Sequence, residues 1–172
     1  MEITPYKLDA RHQPGFARVE AVAGNCSGIV IRELGEGTGD VEIRVTNRRY
    51  FAEAVMVAQR QAIGVTHGPL LSDGYDYWGF TTVSSRGAVL LIDVESCRSN
   101  REIDRTLIHE LVHAAQFGRP GVRDLVLAGL RNNYGVHQLA KAEAKRLNRQ
   151  IASHEREAAR LERFARQLRH FH

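Results

Sequence analysis

The sequence predicts an α+β fold: a small antiparallel or mixed sheet drawn from roughly the first 95 residues, followed by an all-helical half. Three observations predict it. Alternating or β-branched runs are confined to the part of the chain before residue 95, apolar residues recur at helical spacing after residue 100, and the last such stretch continues without Gly or Pro from 136 to the end. At 172 residues, one domain spanning 1–172 is the default, with 1–96 mainly sheet plus one helix and 97–172 helical.

The elements follow in order. Residues 18–46 contain Gly28-Ile-Val-Ile-Arg-Glu-Leu and Asp40-Val-Glu-Ile-Arg-Val around the glycine-rich Gly35 to Gly39, which reads as a β-hairpin. From Arg49 to Ile63, Phe51, Val55, Ala58 and Ala62 recur every three to four residues and Gly64 follows, the pattern of a helix with a C-terminal glycine. Residues 68–76 carry turn chemistry, and Tyr77 to Val83 and Ala88 to Val94, separated by Ser-Ser-Arg-Gly, form a second hairpin. Ser99 caps a helix over about 102–117, closed by Gly118-Arg-Pro120, and a shorter helix runs from Val122 to Arg131. After Gly135, Ala140, Ala144, Leu147, Ile151, His154, Ala158, Leu161, Ala165 and Leu168 step by four and three, the seam of a long amphipathic helix.

Composition narrows the class. Apolar residues make up 43% and charged residues 26%, values of an ordinary globular chain, and no apolar run approaches the ~20 residues that span a bilayer. The first residues lack a basic and then apolar leader, so a cytoplasmic location is expected, with signal-less export as an effector the alternative. Cys26 and Cys97 are too few for a disulfide framework and read as buried thiols. The net charge of +4 sits at one end: residues 141–172 hold nine Lys/Arg against four Asp/Glu.

The chemistry is concentrated in Thr106-Leu-Ile-His109-Glu110-Leu-Val-His113-Ala-Ala-Gln116. Histidines at i and i+4 share one helical face and both imidazoles can reach one metal ion, for which zinc is the natural choice. Glu110, about 100° further round the helix, can reach a metal-bound water rather than the metal. Leu107, Leu111, Ala114 and Ala115 can bury the helix against a sheet.

This run resembles the active-site helix of zincin metallopeptidases. The resemblance implies a zincin-like twisted sheet whose edge strand binds extended substrate, and Ala88 to Val94 stands where that strand is expected. Gln116 and Arg119 replace the Gly and His of the metzincin pattern. The gluzincin pattern instead supplies Glu-x-x-Ala-Asp from a later helix, and Glu155-Arg-Glu157-Ala158-Ala159 is similar, with Glu155 as the implied third ligand and Ala159 in place of the Asp. Another acid must then orient an imidazole, with Asp104, Asp73 and Asp93 as candidates. His154 and Glu157 compete for the ligand role, His154 because it occupies the apolar seam, with Glu143 and His137 behind them.

The implied activity is zinc-dependent endopeptidase on a peptide or protein substrate. Zinc held by His109, His113 and Glu155 acidifies a water, Glu110 takes its proton and passes it to the leaving amine, and Tyr134 is a candidate oxyanion donor beside Tyr75, Tyr77 and His137. The rival reading is a basic helical interaction module. Arg149, Arg156, Arg160, Arg163 and Arg166 could meet nucleic-acid phosphates, but the stripe lacks interleaved aromatics, and nucleic acid is not the expected partner.

Overall fold

A computed structural model describes residues 1–68 and 78–168. The turn expected over 68–76 falls almost wholly outside the described residues, as do Asp73, Tyr75 and Tyr77. Among the described residues the fold is α+β, with a mixed four-stranded sheet and five α-helices. Strands β1 (Glu2–Pro5), β2 (Val41–Thr46), β3 (Gly79–Val83) and β4 (Ala88–Asp93) lie in the order β1-β2-β4-β3. The first three in that order run parallel, and β3 closes one edge antiparallel to β4.

The helices are α1 (Gln13–Leu34), α2 (Arg48–Ile63), α3 (Asn100–Phe117), α4 (Val122–Asn133) and α5 (Lys141–Leu161), the last running into a 3-10 stretch over Glu162–Leu168. Strand alternation sorts the two faces of the sheet. Ile43 and Val45 of β2 and Leu90 and Ile92 of β4 pack in one core with α1 and α3, whereas Val89 and Leu91 pack with Phe51, Val55 and Ala58 of α2. Covered on both faces, β4 reads as the unbroken apolar run Ala-Val-Leu-Leu-Ile.

Residues 18–34 do not form the expected first arm of a hairpin. They belong to the 22-residue α1, which buries Val19, Val22, Ala23, Cys26, Ile29 and Val30 against α3. Those positions recur at three to four residues, and this longer period outweighs the local β-propensity of Ile29-Val30-Ile31. Gly35 ends α1 in the left-handed conformation at φ 69° instead of serving a hairpin loop. Among its described residues the first half therefore carries two α-helices, and its strand at 41–46 pairs in parallel with neighbours distant in sequence.

The hairpin of β3 and β4 and the helices α2, α3 and α4 lie within about two residues of their expected bounds. Ser99 accepts from the backbone N of Glu102 to cap α3, and Asn47 accepts from Tyr50 to cap α2. The turn between β3 and β4 requires Gly87, where an added Cβ would lie 2.0 Å from the carbonyl oxygen of Asp40.

The seam of the last helix is only partly buried. Ala158, Leu161, Ala165 and Leu168 enter the core, while Ile151 is 45% exposed and Ala140 is exposed. The end of the chain is fixed to the core by Arg18, whose guanidinium donates to both carboxylate oxygens of Asp104 at 2.9 and 2.8 Å and to the backbone oxygen of Leu168 at 3.1 Å. All three groups lie in the layer between α1, α3 and the 3-10 stretch.

Candidate metal centre

His109 and His113 stand one turn apart on α3, with ring centroids 4.9 Å apart. In each ring Nδ1 meets an oxygen acceptor. His109 Nδ1 lies 2.9 Å from Glu162 Oε1, and His113 Nδ1 lies 2.8 Å from Gln116 Oε1. Gln116 is fully buried and its amide is oriented, because Nε2 donates to Glu157 at 2.9 Å and to the backbone oxygen of His154 at 3.1 Å. Both imidazoles thus meet acceptors at Nδ1, which in the neutral rings favours the proton there and turns the Nε2 lone pairs toward Glu155.

The two Nε2 atoms converge on one carboxylate. His109 Nε2 lies 3.3 Å from Glu155 Oε2 and His113 Nε2 lies 3.4 Å from Glu155 Oε1, and one ligand atom from each residue falls within 4.8 Å of the others. Charge-assisted hydrogen bonds run shorter, at about 2.7–2.9 Å. A tetrahedral ion with bonds of about 2.0–2.1 Å has ligand-to-ligand edges of about 3.3 Å, so the spacing suits three ligands around a common centre. Burial opposes charge on His109, but its bonds with Glu155 and Glu162 prevail and push its pKa up to about 10 in the protein alone. The bond with His109 in turn holds both carboxyls below the usual range.

Glu110 is turned toward β3 and lines the same cavity as this set. It is buried, and its Oε2 accepts from the Thr81 hydroxyl at 2.6 Å. Burial raises its carboxyl pKa, with the charges of His113 and His109 opposing the rise. The close approach depends on Gly79: a Cβ there would lie 2.7 Å from Glu110 Oε1 and 2.7 Å from Thr106 Cγ2. A cavity of about 310 Å³ opens over the three residues, walled by Phe80 and Thr81 of β3 and by Ile151, His154 and Glu155 of α5, with Phe117 and Val126 at an apolar end. A second hollow of about 180 Å³ lies along His109, Glu110 and Glu162, beside Trp78 and Arg105.

The other candidates go elsewhere. Glu157 is held by Arg119 at 2.8 Å and by Gln116. His154 lines the cavity over the three residues, but its ring is not in the set, and burial, reinforced by Arg119 and His113, lowers its pKa. Glu143 accepts from the backbone N of Ala140 at the start of α5, and His137 sits exposed in the turn before it. Asp104 pairs with Arg18, and Asp93 accepts from Ser96 and the backbone N of Glu95, so neither orients an imidazole. Tyr134 is not brought to the cluster: its hydroxyl donates to Gln59 Oε1 of α2 at 3.0 Å and the residue lines neither cavity.

The acid that does orient His109, Glu162, was missed by sequence reasoning, as were the roles of Gln116 and Thr81. Glu162 follows Glu155 by seven residues, two helical turns, and that spacing was the available signal. The strand expected at the substrate edge is also corrected. Ala88–Asp93 is paired on both sides, and β3 forms the edge beside the cluster. Trp78 accepts from Asp93 of β4 and Ser84 donates to Gly87 of the turn, so by alternation the backbone polar groups of Gly79, Thr81 and Val83 point away from β4. Comparison with protein-family models, curated proteins and solved structures finds no match to the chain.

Proposed function

We propose that the chain is a zinc-dependent endopeptidase of zincin type, with His109, His113 and Glu155 as the metal ligands. The observation that carries the reading is the convergence of both Nε2 atoms on Glu155 while both Nδ1 atoms are satisfied by Glu162 and Gln116. Two neutral imidazoles and one carboxylate suit zinc, and three protein ligands leave a position for water. A zinc ion in that set would supply Lewis acidity and a water acidified toward neutral pH.

The remaining work belongs to the chain. The Glu110 carboxylate, raised by burial, accepts a proton from water and returns it to the leaving amine nitrogen. Thr81 holds one carboxylate oxygen, which leaves Oε1 for the exchange. The outward backbone groups of Gly79 and Thr81, which line the cavity, offer an extended peptide a short edge to pair with, and Phe117 and Val126 offer its side chain an apolar wall.

Metal analysis of the purified chain tests the ligand set. One zinc per chain is expected, with affinity falling at least about tenfold in Glu155→Ala. His154→Ala is expected to keep its zinc. Loss of metal in His154→Ala but not in Glu155→Ala would replace the set by three histidines.

A further inference from the structure

The hollow beside Trp78 and the cavity over the three candidate ligands share Gly79, His109 and Glu110, and they leave those residues in opposite directions. Three elements agree on this. Along α3 the hollow takes Arg105 and Thr106, before His109, and the cavity takes His113 and Phe117, after Glu110. At β3 the hollow takes Trp78, before Gly79, and the cavity takes Phe80 and Thr81, after it. On the last helix and its 3-10 continuation the cavity takes Ile151 and Glu155, and the hollow takes Glu162. A peptide laid along the edge of β3 thus has one recess on each side of His109 and Glu110.

Resting on the endopeptidase reading above, we infer that the hollow is a second side-chain subsite, in which Trp78 selects a large apolar residue of the substrate, aromatic above aliphatic, across the cut bond from the residue held by Phe117, Val126 and Ile151. Trp78 gives the hollow its large apolar surface. Its carbonyl is tied to β4 by the backbone N of Asp93, yet 39% of the residue stays exposed. Covering an exposed indole removes apolar area from water, and a second ring gains further by stacking on it. The charged groups of the wall do not compete with that preference. Arg105 Nε donates to Glu162 Oε2 at 3.0 Å, and Glu162 Oε1 meets His109 Nδ1, so the pair compensates itself and attracts neither an acid nor a base. The substrate class that follows is a peptide with apolar residues on both sides of the cut bond.

The chain holds one tryptophan, so the subsite carries its own reporter. The test uses the full chain as Glu110→Gln in zinc-containing buffer, to keep bound peptides intact, and peptides free of Trp and Tyr with Phe-Phe, Ala-Phe, Phe-Ala, Lys-Phe or Phe-Lys at the centre. Affinity is read by anisotropy of labelled copies, and Trp78 emission is read with unlabelled ones. The Phe-Phe peptide is expected to bind at least about tenfold more tightly than either peptide with one Ala, and to shift Trp78 emission to the blue. Trp78→Ala should erase the preference at one of the two positions and keep it at the other, whereas Trp78→Phe should keep both. Val126→Trp, which fills the cavity, should erase the opposite one. Emission that stays put while the Phe-Phe peptide is bound, no binding of any peptide, or tighter binding of a Lys peptide would overturn the inference. So would both preferences surviving in Trp78→Ala. Cleavage by the unmodified chain separates the two readings. A Trp78 shift with Phe preference but no cleavage of any peptide would support the subsite and overturn the endopeptidase reading, and cleavage without preference would do the reverse.

Discussion

His109 and Glu162 meet at 2.9 Å between Nδ1 and Oε1, and this contact joins the third helix to the 3-10 stretch that ends the described chain. Glu162 is itself held by Arg105, whose Nε donates to Oε2 at 3.0 Å. One carboxylate oxygen thus orients the imidazole while the other is anchored on the helix that carries it. Fixing the Nδ1 proton raises the basicity of Nε2, the atom turned toward Glu155.

Glu162→Ala should therefore weaken zinc binding without removing a ligand. A loss of about ten- to a hundredfold in affinity is expected by chelator competition. Glu162→Gln, which keeps an acceptor oxygen, should lose less. Unchanged affinity in Glu162→Ala would mean that His109 is oriented by other means.

Gly79→Ala should disturb Glu110 and not the metal. The new Cβ would collide with Glu110 Oε1 at 2.7 Å, so the carboxylate must shift. Displacement on that scale costs about a hundredfold in turnover. Thr81→Val removes only the hydroxyl that holds Oε2 and should cost less. Peptide turnover measured alongside zinc content separates these outcomes from loss of the site.

The two thiols make a prediction about pH. Cys26 and Cys97 are buried and free, and burial pushes both pKa values up, Cys97 from 9.0 to about 12. Below the unfolded value, folded and unfolded chains alike keep the proton. Between that value and the folded one, only the unfolded chain gives it up, so stability should fall as pH rises from about 9 toward 12. Urea midpoints across that range check the sign, and Cys97→Ala should flatten the fall. A disulfide reagent at pH 8 should find no thiol in the native chain and two in denaturant, and rapid native labelling would contradict the burial.

Much of the candidate site's geometry was legible because its residues sit close together on one helix. His109, Glu110 and His113 share α3, whose caps and apolar face are complete within the segment, and β3 and β4 are joined by a four-residue turn. Elements whose conformation is decided by distant partners were harder to read. Residues 29–31 favour a strand locally but are helical because α1 packs on α3. Ile151 follows the apolar seam yet stays exposed because that part of α5 borders the cavity rather than the core. Gln116 gains its role only when α5 crosses α3, which no spacing within either helix encodes, and the seven-residue step from Glu155 to Glu162 signals a shared face but not the histidine that Glu162 meets.

Hydrolysis of a peptide by Glu110→Gln, measured at equal zinc occupancy with the unmodified chain, tests the central claim most directly. On the proposed reading Glu110 acts on a proton and does not hold the ion, so the variant should keep its full zinc complement. Its turnover should fall by at least about a hundredfold, the lower end of what a positioned general base contributes. Full turnover in Glu110→Gln, or loss of zinc from it, would contradict the assignment of Glu110 as the base beside a centre built by His109, His113 and Glu155.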